Sequence, residues 1–166
     1  MIGSTIGAFV LLAMLSTFLF LGRSGANIQN YIDMESQARK SLELFAEDTR
    51  QATAISWASS TNVTLTVDGA SVVYYYDSAA KSFKRTAAGT TTILISGITT
   101  FSFKAYNITG TEITDFSTAA ALTSAGKATK QLQVSLESSR TSTTVVSATN
   151  SVLSARFILR NKRVTT

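Results

Sequence analysis

Glu43 and Glu47 stand four residues apart in a stretch of helical periodicity. That spacing puts two carboxylates on one helix face, where they could share a ligand. The chain has no histidine to act as general base and no cysteine to supply a thiolate. The pair, with Asp33 and Asp48 on the same polar side, therefore reads as solvated helix charge. No Gly-rich phosphate loop, metal-ligand spacing or nucleophile–base arrangement occurs in the sequence. No catalytic residue, metal or cofactor is expected. Tyr74, Tyr75 and Tyr76, near Lys84 and Arg85, could stack on bases or sugars, but an aromatic run in a strand ordinarily packs on both faces of a sheet. Asn62-Val63-Thr64 and Asn107-Ile108-Thr109 match the glycosylation pattern, which is short enough to arise by chance. Arg156, Arg160, Lys162 and Arg163 crowd the end of the chain and could contact an anion such as nucleic acid or a lipid headgroup. The simpler reading is a solubilising terminus, with Lys162 and Arg163 in a frayed tail.

The elements that would carry these residues begin with one long helix, Met1 to Ala54, of two different halves. Residues 1–22 contain no charge and are apolar on every face, with Phe9, Leu12, Leu15, Phe18 and Leu19 among them. As a helix this half spans about 33 Å, enough to cross the hydrocarbon of a bilayer. Gly3 and Gly7 sit four apart, a spacing that allows close helix–helix contact, and Gly22 and Gly25 lie at the junction of the halves. Residues 23–54 change character without a proline, which the whole chain lacks. Tyr31, Ala38, Leu42, Phe45 and Thr49 lie on a stripe of mostly three-and-four spacing, with charged residues mostly between them. That stripe is expected to dock on the remaining part, residues 55–166. The helix carries five acids and four bases and the remainder five acids and eleven bases, so the net charge of +5 sits on the second part. Residues 1–22 lack the basic start and the short apolar core of a cleaved signal peptide. Arg23 lies beyond the span, which by the positive-inside rule would leave the N-terminus poorly held in the cytoplasm.

From Ile55 the period changes from 3.6 to 2. Strands are expected at Asn62 to Val67, Ser71 to Tyr76, Lys81 to Arg85, Thr91 to Ser96 and Ile98 to Tyr106, with Asp68-Gly69 as a hairpin turn. A short segment at Ile113 to Phe116 follows. Ser117 to Thr129 reads as a loop with a helical turn at Ala119 to Leu122. Lys130 to Leu136 alternates again, Ser138 to Thr143 is a polar break, and Thr144 to Val146 is a short strand. Val152 to Arg160 ends the pattern, with Leu153, Ala155, Phe157 and Leu159 on one face. Short connections make the sheet mostly antiparallel. The fold class is α+β, a long N-terminal helix packed on an antiparallel β head.

A helix that is lipid-soluble first and amphipathic second, bearing such a sheet, resembles the type IV pilin superfamily. Met1-Ile2-Gly3-Ser4-Thr5-Ile6-Gly7-Ala8 looks like the continuation of that family's Phe-Thr-Leu-Val-Glu-Val run, which is not in this chain, and neither is the basic leader that precedes it. A start upstream of Met1 would supply those basic residues. Lys130 to Leu136 and Ser154 to Lys162 are similar to the last strands of larger minor pilins and J-type pseudopilins. The resemblance implies a structural subunit of a type IV pilus or type II secretion-like filament. It implies a helix stored in the bacterial inner membrane with a periplasmic head, then packed against other subunits in a cell-surface filament. The alternative is a single-pass anchored extracytoplasmic module that binds DNA or an anionic envelope polymer.

Overall fold

A computed structural model of the chain describes residues 2–140 and 149–163. The short strand expected at Thr144 to Val146 lies outside the described residues. Helix α1 runs without interruption over Ile2–Gln51. With no proline in it, no turn loses its backbone hydrogen bond to steric conflict. The helix stops three residues before the expected Ala54. Ala52 N–H makes the last helical bond, to Asp48 O at 2.9 Å, and Thr53 N–H already donates to Thr66 O in the sheet. One of the carbonyls left open at the helix end, that of Gln51, accepts from Asn161 Nδ2 at 3.2 Å.

The strands divide into two antiparallel sheets, where one had been expected. β1 (Ala54–Ser59), β2 (Asn62–Val67), β3 (Ala70–Asp77), β4 (Ser82–Ala87) and β5 (Thr90–Ser96) form a meander in sequence order. The second sheet contains β6 (Ile98–Tyr106), β7 (Glu112–Ile113), β8 (Gln131–Arg140) and β9 (Thr149–Ile158) in the order β7-β6-β8-β9. Asp68 and Gly69 both have positive φ, 49° and 78°, as a two-residue hairpin turn of this hand requires. Ala88 and Gly89 repeat the geometry at 50° and 76°, without an Asn or Asp at the first position to advertise it.

Two elements differ from expectation for identifiable reasons. The region expected as a loop holds helix α2, Ala119–Ala128. Thr118 caps it by accepting from Ala121 N–H at 3.1 Å, and its alanines have the highest helix propensity of any residue. The expected polar break at Ser138 is instead strand: Ser138, Ser139 and Arg140 pair with Ser151, Asn150 and Thr149. Backbone pairing does not require apolar side chains, and Ser139 N–H also donates to Gly97 O at 2.8 Å.

The core lies between the sheets and under α1. Val63, Leu65, Val72, Tyr74 and Phe83 enter from the first sheet, and Phe103, Leu132, Val134 and Leu136 from the second. Phe45 of α1 is fully buried between them. Its ring centroid is 5.0 Å from Tyr74 and 6.3 Å from Phe83 on one side, and 6.0 Å from Phe103 and 5.8 Å from Phe157 on the other. α2 lies directly against β1, because Gly126 faces its backbone. A Cβ there would stand 3.0 Å from Ile55 O.

Two stability outcomes follow from these contacts, both readable by chemical denaturation of the detergent-solubilised chain. Phe45→Ala is expected to cost about 3–5 kcal/mol, since four rings lose their common neighbour; a cost below that of an ordinary surface change would refute the central placement of Phe45. Gly126→Ala is expected to destabilise by about 1–3 kcal/mol, although alanine favours helix, because the clash is with backbone that cannot swing away. A gain in stability would contradict the close packing of α2 on β1.

Candidate interaction surfaces

α1 presents two kinds of surface. From Thr5 to Gly25 every side chain is exposed. Phe9 and Phe18 are each 75% exposed, and Leu12, Leu15 and Leu19 lie with them on open helix. Nothing approaches within 4 Å of a Cβ placed at Gly3 or Gly7. The described helix is long and apolar enough to cross a membrane, with a mean hydropathy of 2.1 in its most apolar stretch. Apolar surface on this scale is stable only against lipid or against other apolar surface.

Further along, the helix turns to a buried seam. Met34, Ala38, Ser41, Phe45, Thr49 and Ala52 recur at spacings of three and four and are all buried. Leu42 and Leu44 pack at its flanks. Ala38, Leu42, Phe45 and Thr49 thus lie where the periodicity had put them. Tyr31 does not: it is 51% exposed, as are Ile28 and Ile32 to a similar degree. The apolar stripe continues above the head, but the strands do not reach it, and burial begins one turn later at Met34. Ser41 was missed because a serine in a helix carries no apolar signal. Its Oγ lies between two carbonyl acceptors, Gln37 O of its own helix at 2.5 Å and Leu94 O of β5 at 3.0 Å.

Asp48 is the second correction. Expected in solvent, it is only 5% exposed and faces the first sheet. Its Oδ2 accepts from Tyr74 Oη at 2.6 Å and from Arg85 Nε at 2.8 Å. Arg85 Nε is also 3.2 Å from Tyr74 Oη. A buried carboxylate is tolerable when paired and fully hydrogen-bonded, and here the partners come from β3 and β4. Burial, reinforced by the bond to Asp48, pushes the Tyr74 phenol well above its ordinary value. The bond to Asp48 raises the Arg85 guanidinium as well. Tyr74 is therefore closed to any stacking ligand. Tyr76 stacks on Phe101 at 5.0 Å, and Tyr75 is half-buried.

The other candidates are dispersed. Glu43 and Glu47 remain exposed beside a shallow groove with Arg50 and Phe157. Among the described residues no three His, Cys, Asp or Glu side chains come together as metal ligands. Asn107 Oδ1 is engaged in its own turn, accepting from Thr109 Oγ1 at 2.7 Å and Thr111 N–H at 2.8 Å. Asn62 opens β2, half-buried. The basic end is not one patch. Arg156 lies on the outer face of the second sheet, its guanidinium 3.6 Å over the Tyr106 ring and bonded to Gln133 Oε1 at 3.0 Å through Nε and Nη2. Arg160 and Arg163 are exposed, but Lys162 is buried, contrary to a frayed tail. Its Nζ donates to Lys127 O at 2.6 Å and Thr129 O at 2.8 Å, which anchors the segment.

Compared with known proteins, the chain matches no family model, and no curated protein matches it.

The Asp48–Tyr74–Arg85 cluster makes a pH-dependent outcome. Because the folded protein favours the neutral phenol, this contribution is fully present below the ordinary tyrosine value of 10.0 and is lost as pH rises from there toward the raised folded value. At neutral pH Tyr74→Phe is expected to cost about 1 kcal/mol through the lost bond to Asp48. Above pH 10 the wild type should lose stability more steeply than the variant, so the gap narrows. Denaturation midpoints of both proteins measured from neutral to alkaline pH check this, and parallel profiles would refute it.

Proposed function

We propose that the chain is a structural subunit of a pilin-like filament, a minor pilin or pseudopilin. Its apolar helix half resides in the bacterial inner membrane before assembly and among the helices of other subunits afterwards, with the β head outside the membrane. One observation carries this reading. A single uninterrupted helix is wholly exposed and apolar over its first half and sealed to the head by Phe45 over its second. Lipid and neighbouring apolar helices satisfy such a surface equally well, so the same helix can pass from one to the other without changing its own structure. The spacing of Gly3 and Gly7, with open space at both, suits close approach by a neighbouring helix.

The test is a charge placed in the middle of the span. Leu12→Arg costs about 2.5–3.5 kcal/mol on insertion scales. It should reduce recovery of the protein both in the membrane fraction and in sheared filaments. Normal recovery of the variant in both would overturn the reading. Wild-type protein found in membranes and never in sheared filaments would favour an anchored binding module instead.

A further inference from the structure

Beyond β9, residues 159–163 turn back onto the head. Leu159 is fully buried and its N–H donates to Lys130 O at 3.0 Å. Asn161 reaches the end of α1, and Lys162 reaches the end of α2. Lys130 Nζ in turn donates to Lys162 O at 2.5 Å. Between this segment, α2 and β1 lies a groove of about 390 Å³. Lys127, Lys162 and Arg163 line it together with Thr53, Ser56 and Thr123, and no carboxylate does.

The charge in this groove is not balanced. An ammonium has three N–H donors. Two of those on Lys162 are taken by the carbonyls of Lys127 and Thr129, and among the described residues the third has no acceptor and the charge no carboxylate partner. A buried charge without a counter-ion is costly. The carbonyl end of α2 offsets part of one positive charge, but Lys127 and Arg163 add two more, and Lys130 is close enough to disfavour the charged form of Lys162 further. Burial is the larger cause of that lowering. Thr53 and Thr123 spend their hydroxyl protons on Thr66 O at 3.2 Å and Ala119 O at 2.9 Å, which leaves two lysines, an arginine and the Ser56 hydroxyl around one recess as the donor set that a phosphate group accepts from. The volume falls within the range of small-molecule sites, about 300–1,000 Å³, and leaves room beside a phosphate for a small polar body.

The geometry points to a phosphate-binding site in the groove between α2, β1 and the C-terminal segment, held by Lys127, Lys162 and Arg163. Its ligand is free phosphate or the phosphate of a small phosphorylated sugar. The site is independent of the filament reading, since none of its residues lies on the apolar half of α1. It also differs from a track for duplex nucleic acid, because Arg156 is committed elsewhere and the recess is compact.

The experiment is calorimetric titration of the full chain in a maltoside detergent at low salt, with inorganic phosphate, glucose 6-phosphate and glucose as separate probes. Saturable binding of one or both phosphates and none of glucose is expected. Comparable affinities for the two phosphates would assign the site to free phosphate, and tighter glucose 6-phosphate to a sugar phosphate. Lys127→Gln with Arg163→Gln, both exposed positions, should weaken binding by about tenfold or more while leaving the circular dichroism unchanged. Lys104→Gln, on β6 and outside the groove, should change nothing. Lys162→Met should abolish binding; if that variant does not fold, the exposed pair decides. No saturable binding of either phosphate, or binding unaffected by the exposed double change, would overturn the site.

Discussion

The head is held together at the point where one aromatic ring from the helix meets both sheets. Phe45 has Tyr74 and Phe83 on one side and Phe103 and Phe157 on the other. The sheets also meet directly, Tyr76 against Phe101 at 5.0 Å and Phe83 against Phe103 at 5.9 Å. Phe45 fills the space beside these contacts and joins the helix to both. The Asp48–Tyr74–Arg85 cluster adds direction to this packing. Apolar contacts tolerate small slips of a helix along a sheet, whereas a carboxylate with two donors at fixed distances does not. The aromatic cluster thus supplies most of the attachment, and the buried polar cluster fixes its register.

The same helix has opposite needs at its two ends. The seam from Met34 to Ala52 is satisfied within the chain, while the surface from Thr5 to Leu21 is not. The intervening turns around Tyr31 belong to neither. They carry exposed apolar side chains together with Asp33 and Glu35, and a surface ion pair between Glu35 and Arg39 at 2.7 Å.

Local pattern revealed the elements but not their grouping. Alternation in Asn62 to Val67 and Lys130 to Leu136 marked which residues face inward, because that depends only on a period of two. Whether strands share one sheet depends on pairing between distant segments, and nothing in a single strand's pattern records its partner. The docking stripe was legible where residues were apolar. Ser41 and Asp48 were illegible because their burial is stabilised by partners fifty-three and twenty-six positions away, on Leu94 and Tyr74. Tyr31 erred in the opposite direction, as periodicity gives the face of a helix but not how far a neighbour extends along it. The basic end misled for a similar reason. Composition counts Arg156 and Lys162 as equals, yet one lies stacked on a tyrosine and the other is enclosed by carbonyls.

The tie between Asn161 and the last turn of α1 has a mechanical consequence. Tension drawn along the helix reaches the head first along the buried seam, where Phe45 touches both sheets, and at Gln51 the covalent path continues through Thr53 into the first sheet. At the same residue the Gln51 carbonyl is bonded to the C-terminal segment, which leads back through Leu159 to β8 and β9 and through Lys162 to α2. A pull on the helix is therefore divided between both sheets at its point of entry.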